Sequence, residues 1–352
     1  MKILCQNFSN ALYFIFEGWR QVFIHTGHEW RWMQAGEAPI DVFNEYEPDI
    51  YIGTTYDIDR ATFKAIAARP NLKVVLKGSN YGPQTDEIDL VKFPIVNANE
   101  KELETMKRLK GETGRPDTVF NFYHINRYPG TMEYWKSKLG IDLVEGLPAA
   151  DIFNYKPVAP RPELQCDIAF VGGYWPYKGI NLQKYIFPLC YPIGKYNVKI
   201  FGNQPWPLPQ YLGNANTDTV EALFSSATIC PNISEPHANE FGFEVNERVF
   251  KLAANKAFCI NDPIASLNED IFLDNELVIA QDPTHFQDLV SLFIKNPGLR
   301  QKHIDACYRN VMDNHTYINR MVNLLNVLKL EDEATKIVST LKNLVEGENN
   351  AG

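Results

Sequence analysis

Ser234-Glu-Pro-His-Ala-Asn-Glu-Phe-Gly-Phe-Glu-Val-Asn-Glu-Arg-Val-Phe-Lys-Leu-Ala-Ala-Asn-Lys-Ala-Phe-Cys-Ile-Asn-Asp262 is the stretch on which the reading of this chain turns. The apolar run Ala227–Ile233 precedes it and reads as a buried strand. A polar, Pro-containing loop follows, then a Phe241-Gly242-Phe243 elbow. Val245, Val249, Leu252 and Ala253 recur at helical spacing, with Glu244, Glu247, Arg248 and Lys251 on another face. Ala257–Ile260 closes the segment as a second buried strand. Charged residues therefore gather at the N-terminal end of the helix, where free backbone N–H groups and a partial positive charge suit a diphosphate. Arg248 adds a fork of donors, and Glu247 can accept from a ribose diol. A solvated surface helix laced with i,i+4 ion pairs fits the same spacing.

Outward from this stretch, the first half of the chain alternates strand and helix patterns. Strands are predicted at Lys2–Gln6, His28–Trp32, Asp49–Gly53, Leu72–Leu76, Phe93–Val96 and Thr118–Phe122, with helices at Ala11–Phe23, Ile40–Tyr46, Arg60–Ala68 and Glu100–Lys110. Such alternation predicts a parallel sheet with helices on both faces, and ligands of such sheets collect at the C-terminal strand ends. Those ends carry Ser9 and Asn10, Thr54, Ser79 and Asn80, and His124. Asp57-Ile-Asp59 has the D-x-D form of a metal motif but stands directly before a helix, where Asp is a common N-cap. Trp30 and Trp32 read as core on one strand face, and Lys101–Arg115 as a solvated helix because Glu102, Glu104 and Glu112 interleave with its cations.

Gly146–Asp151 and the Pro-rich Asn154–Pro162 read as an extended linker. Alternation then restarts at Asp167–Val171, a buried strand capped by Gly172-Gly173 and followed by Lys178-Gly179, with a helix from Asn181. Glycines at a strand end let a backbone approach a ligand, and Lys178 can reach a phosphate. Neither half carries a G-x-G-x-x-G fingerprint with an acidic residue after the next strand, which disfavours a nicotinamide enzyme.

The whole chain has 352 residues, enough for two cores, with 45% hydrophobic and 22% charged residues. A net charge of −9 argues against broad nucleic-acid coating. Six scattered cysteines without a C-x-x-C pair read as buried free thiols of a reducing compartment. No apolar run is long enough to span a bilayer and the N-terminus has no signal-peptide pattern, so the expected location is cytoplasmic.

Several of these motifs share one resemblance. Asn246-x-Arg248-x-Phe250 with Ala253-Ala254, Gly172-Gly173 through Lys178-Gly179, the Gly213-Asn214 turn, Leu147–Asp151 and His315-Thr-Tyr-x-x-Arg320 resemble the CgeB-like (spore-maturation type) branch of the group 1 glycosyltransferases. The resemblance implies the GT-B fold: an α/β chain of two Rossmann-like domains whose parallel sheets face a cleft. Residues 1–158 would form the acceptor-side domain, 164–327 the nucleotide-sugar donor domain, and a helix near 328–346 would cross back to the first. It implies donor contacts from Gly172, Gly173, Lys178, Gly213, Asn214, Phe241, Gly242, Phe243, Glu244, Asn246, Glu247 and Arg248, and acceptor contacts from Ser9, Asn10, Thr54, Ser79 and Asn80. His124 and Glu240 are the catalytic candidates. The donor would be a nucleotide-diphosphate sugar and the acceptor a glycan, lipid or protein, with retention of configuration and no metal or other cofactor. Two positions depart from the pattern: Lys251 stands where it usually has Glu, and Gly173 where Arg is frequent. A non-catalytic nucleotide- or sugar-binding relative is the alternative.

Overall fold

The computed structural model describes residues 1–9, 11–78, 100–122, 136, 139–141, 143–242, 244–273 and 275–349. Two compact units result: Met1–Leu147 together with Ile318–Gly352, and Pro148–Tyr317.

The first unit holds strands β1 Lys2–Gln6, β2 Glu29–Met33, β3 Ile50–Thr54, β4 Lys73–Lys77, β5 Thr118–Asn121 and β6 Leu143–Glu145. They form one parallel sheet in the order β2-β1-β3-β4-β5-β6. Runs such as Ile50-Tyr51-Ile52 are apolar at consecutive positions because a parallel sheet is covered on both faces. Leu4, Tyr51, Val74, Leu76 and Val119 pack with Phe43, Phe63 and Met106 in one core cluster. Each such side chain contributes about 1.5–3 kcal/mol on full burial.

Asp59 caps the Arg60–Ala67 helix, its carboxylate accepting from the Thr62 N–H at 2.7 Å, so the D-x-D pattern is helix-start chemistry. Trp30 and Trp32 are half-buried and meet edge to face at 5.4 Å. The Glu100–Thr113 helix buries Leu103, Met106 and Leu109, and also Glu102, which accepts from the Thr55 hydroxyl. The solvated-helix reading missed that acid. The Glu331–Asn349 helix packs into this unit through Ala334 and Ile337, and Glu333 approaches the buried His28 at 3.6 Å.

The second unit holds β7 Cys166–Val171, β8 Val198–Phe201, β9 Ala227–Asn232, β10 Cys259–Asn261 and β11 Val278–Ile279, parallel in the order β11-β10-β9-β7-β8. Along β7, Ile168 and Phe170 enter a core with Ile200, Ile229 and Phe286, while Ala169 enters the opposite one with Cys230, Leu252 and Phe224. That is the two-residue period of a strand buried on both sides. All six cysteines are free and buried.

The expected linker is not loose. Asn255 Nδ2 donates to the Lys156 carbonyl, and the Val158 and Arg161 amides donate to the Ser225 and Ser226 hydroxyls. Tyr155 is buried in the second core. Prolines keep the strand-like tail extended, but side-chain acceptors on the Thr217–Ser226 helix hold it down, so the units divide at Leu147/Pro148.

Candidate nucleotide site

In the second sheet the chain leaves β7 toward β8 on one side, while β9 lies on the other. Open parallel sheets bind ligands at this kind of switch point, beyond the C-terminal strand ends. Arg248 ties those two ends together. Its Nε donates to the Val171 carbonyl at the end of β7 (2.9 Å), and Nη1 donates to Asn232 Oδ1 at the end of β9 (3.2 Å). The guanidinium lies 4.7 Å from the Phe170 ring centroid. Burial lowers its pKa to about 10, which leaves it charged at neutral pH.

Lys178 comes to the same place from the first turn of the Pro176–Tyr185 helix. The helix starts five residues before Asn181 because Pro176, with its preset φ, sits at the first helical position. The lysine is 8% exposed and lies 4.9 Å from the Trp175 ring centroid. No hydrogen bond or ion pair to it is seen among the described residues. Burial first, and Arg248 second, lower its pKa from 10.5 to about 7, against the opposing pull of Glu235 and Asp262.

Gly172 explains why this strand end carries no side chain. A Cβ there would stand 2.8 Å from Arg248 Nη2 and 3.6 Å from Lys178 Nζ. None of the hydrogen bonds seen among the described residues uses Nη2. A bare strand end, an uncommitted guanidinium nitrogen and an uncommitted amine thus converge. The Gly202 amide donates to the Gly213 carbonyl at 2.9 Å, which brings the Gly213-Asn214 turn alongside; Gly173 lies beside Asn203.

A polar network holds the β9 and β10 ends in place. Asp262 is fully buried and accepts from the Ser234 amide (2.8 Å), the Ser234 hydroxyl (3.1 Å) and Asn239 Nδ2 (2.9 Å). Burial raises its pKa, and those donors oppose the rise. Asn181 Nδ2 donates to the Ser234 carbonyl and to Asn239 Oδ1, and Asn246 Nδ2 donates to the Ser234 hydroxyl at 3.2 Å. Asn246 Oδ1 is buried with no hydrogen-bond partner among the described residues. Sequence reasoning missed Asn181, Ser234, Asn239 and Asp262. The local signal was only the Asn261-Asp262 pair at a strand end.

The polar loop of the sequence reading contains a short helix, Pro236–Phe241. Gly242 ends it at φ +71°, and a Cβ there would meet Ala265 at 2.9 Å, so the turn requires glycine. Glu240 is exposed on this helix. His237 is 3% exposed and stacks on Tyr177; its Nε2 lies 2.8 Å from Glu244 and its Nδ1 3.8 Å from Glu235. The central helix begins at Arg248 instead of near Glu244, so Glu244 and Asn246 sit in the approach to it.

Glu247 stands at the N-cap position of that helix and does not cap it. One carboxylate oxygen accepts from the Tyr317 hydroxyl (2.7 Å) and the other pairs with Lys251 (2.6 Å). Both charged side chains are 11% exposed, and Lys251 also lies 4.6 Å from the Tyr155 ring centroid. Burial opposes the charge on Lys251, but Glu247 outweighs it and holds the pKa above the ordinary value.

In the first unit, Ser9 follows β1 and Thr54 ends β3, the two strands of that sheet's switch point. Thr54 is buried, its hydroxyl accepting from the Asp57 amide at 3.2 Å. Asn10, Ser79, Asn80, His124 and Phe243 lie outside the described residues, as does the predicted strand Phe93–Val96. Among the described residues, no three His, Cys, Asp or Glu side chains group as metal ligands, and no helix is long and apolar enough to cross a membrane.

Solved structures share this arrangement of two parallel α/β sheets, the GT-B fold. Residues 162–326 match the family described as glycosyl transferase-like. An alpha-glucosyltransferase in complex with UDP and a 13-mer DNA containing a HMU base superposes with TM-score 0.63 at 11% identity, covering 94% of this chain and 99% of that one. Sucrose-phosphate synthase from Thermosynechococcus elongatus gives 0.62 at 10% identity over 94% and 98% of the two chains. T4 phage BGT in complex with UDP and Mn2+ gives 0.52 at 15% identity over 96% and 99%. No curated protein sequence matches this chain.

Proposed function

We propose that this chain is a glycosyltransferase that takes a sugar from a nucleotide-diphosphate donor bound to the second unit and passes it to an acceptor on the first. The observation that carries the proposal is the convergence of Arg248 Nη2 and Lys178 Nζ on Gly172 at the sheet's switch point. When the glycosyl bond breaks, charge builds on the departing diphosphate, and fixed cations in a dry site stabilise it as it forms. The bare Gly172 backbone lets the phosphates approach both groups, and the Asp262 network keeps the β9 and β10 ends from relaxing away. The two cations support a metal-independent reaction. The UDP complexes of neighbouring GT-B proteins favour a uridine nucleotide as the first donor to try.

Retention of configuration follows the family resemblance, with the leaving phosphate itself as the base; inversion would require a base such as His124. Glu240, exposed on the Pro236–Phe241 helix, is retained as a catalytic candidate. The net charge of −9 favours a glycan, lipid or protein acceptor over DNA, and the buried free cysteines favour the cytoplasm. A non-catalytic receptor is the second reading, favoured by the committed Glu247–Lys251 pair.

Release of nucleoside diphosphate from UDP-, GDP- and dTDP-sugars, with and without EDTA and with pooled acceptors, tests the proposal. EDTA-insensitive release that disappears in Lys178→Met is expected. Binding of a nucleotide sugar with no release under any condition would establish the receptor instead.

A further inference from the structure

A buried imidazole between two carboxylates sits beside the cationic pair, and the proposed reaction has not used it. His237 leaves Pro236–Phe241 with its ring stacked on Tyr177 at 5.8 Å and 14°, and its Nδ1 lies 3.2 Å from the Tyr177 hydroxyl. Nε2 contacts Glu244 at 2.8 Å, and Nδ1 faces Glu235 at 3.8 Å. The imidazole side chain is 4% exposed, whereas Glu235 and Glu244 keep 24% and 29% of theirs open. The histidine is thus the inner support and the carboxylates form the outer edge.

The cluster adjoins the phosphate cations. Glu235 opposes the lowering of the Lys178 pKa, and Lys178 and His237 oppose the rise at Glu235, so the cations and the acid cluster act on one another. Tyr177 and Lys178 are consecutive in the same helix turn. A diphosphate drawn to the cations would leave its substituent next to an edge rich in acceptors.

We infer that Glu235 and Glu244, on either side of a His237 ring braced by Tyr177, form a hydroxyl-reading clamp for the glycosyl group, specifying a neutral polyhydroxy sugar and rejecting a uronate or other anionic sugar. This inference rests on the donor-site reading above. An ionised carboxylate only accepts hydrogen bonds, so two of them suit sugar hydroxyls, which donate, and repel a sugar carboxylate, which brings another negative charge. The imidazole is hydrogen-bonded to Glu244 through Nε2 and to the Tyr177 hydroxyl through Nδ1, and Glu235 stands 3.8 Å from Nδ1 on the same side. Glu235, Glu244 and His237 are specificity and positioning residues, distinct from the groups that hold the phosphates.

Calorimetric titration of the full chain with UDP, UDP-glucose and UDP-glucuronate, in wild type, Glu235→Gln, Glu244→Gln and His237→Asn, tests the clamp. UDP serves as the control for folding and for the phosphate site. Wild type is expected to bind UDP-glucose about tenfold tighter than UDP, the effect of one charge-assisted hydrogen bond, and UDP-glucuronate no tighter than UDP. His237→Asn and Glu244→Gln are expected to retain UDP affinity within about twofold, below the effect of one hydrogen bond, and all three variants to lose most of the glucose increment, taken as the ratio of UDP-glucose to UDP affinity. Equal loss of UDP and UDP-glucose affinity would make the cluster a support of the phosphate site and overturn the clamp. So would UDP-glucuronate binding as tightly as UDP-glucose, or a glucose increment unchanged in all three variants. If wild type binds none of UDP, GDP and dTDP, the donor-site reading itself falls, and the clamp with it.

Discussion

Lys178 offers the sharpest quantitative test, because its surroundings make its charge depend on the ligand. In the free protein, burial and Arg248 lower its pKa from 10.5 to about 7. At pH 8 roughly nine-tenths of the amines are then neutral. A diphosphate against the amine supplies the missing negative charge and returns the pKa toward its ordinary value, so binding at pH 8 takes up nearly one proton. The phosphate's own titration, near pH 6, is complete by then. Affinity is expected to fall by about tenfold per pH unit above pH 7.

The stability of the free protein follows the opposite course. Because the folded pKa is depressed, the unfolded chain binds more protons between pH 7 and 10.5, and this lysine's destabilising effect is relieved as pH rises through that window. Below pH 7 the cost is full, and Lys178→Met is expected to stabilise the empty protein by a few kcal/mol there while weakening UDP binding. Titration calorimetry at pH 8 in two buffers of different ionisation enthalpy measures the proton count. An uptake that persists in Lys178→Met, or tight binding with no uptake in wild type, would refute the reasoning.

Other positions give independent tests. Gly172→Ala places a methyl 2.8 Å from Arg248 Nη2 and 3.1 Å from the Phe170 ring and is expected to weaken UDP binding by about 1.5 kcal/mol or more, read by calorimetry on the folded variant. Glu247→Gln and Lys251→Met each break a mostly buried pair and are expected to cost about 3–5 kcal/mol in urea unfolding, while the double variant costs less than their sum. Ile337→Ala, at a fully buried position of the C-terminal helix, should cost about 2–5 kcal/mol, and an unchanged urea midpoint would show that this helix does not support the first unit.

The two sheets could be read from the chain because parallel strands buried on both faces leave unbroken apolar runs, as in Ile50–Ile52 and Asp167–Val171. Asp59 was legible as a cap because capping is a local interaction three residues long. The parts that escaped were non-local. Ser234 and Asp262 are 28 residues apart, and Glu247 and Tyr317 are 70 apart, so no periodicity shows that these polar groups satisfy each other. Lys178 and Arg248 could be picked out as cations, but their burial beside Gly172 depends on where three segments meet. The Pro-rich stretch after Leu147 has the composition of a free linker, yet hydroxyls and an amide from distant helices hold it in the second unit. Helix starts shifted for a similar reason: Pro176 and Gly242 set boundaries that apolar spacing alone could not place.

The central claim is that the β7–β9 switch point holds a nucleotide diphosphate between Lys178 and Arg248. Thermal denaturation of wild type and Arg248→Lys with UDP-, GDP-, dTDP- and CMP-sugars tests it most directly, since a ligand bound only by the folded state at one hundred times its Kd adds about 2.7 kcal/mol of stability. Arg248→Lys keeps a cation but loses the fork that joins Val171 to Asn232, so its unliganded melting curve serves as the baseline. The expected result is a clear rise in melting temperature of wild type with at least one nucleoside-diphosphate sugar, and a much smaller rise for Arg248→Lys above its own baseline. No rise with any of them, or an equal rise in both proteins, would contradict the account.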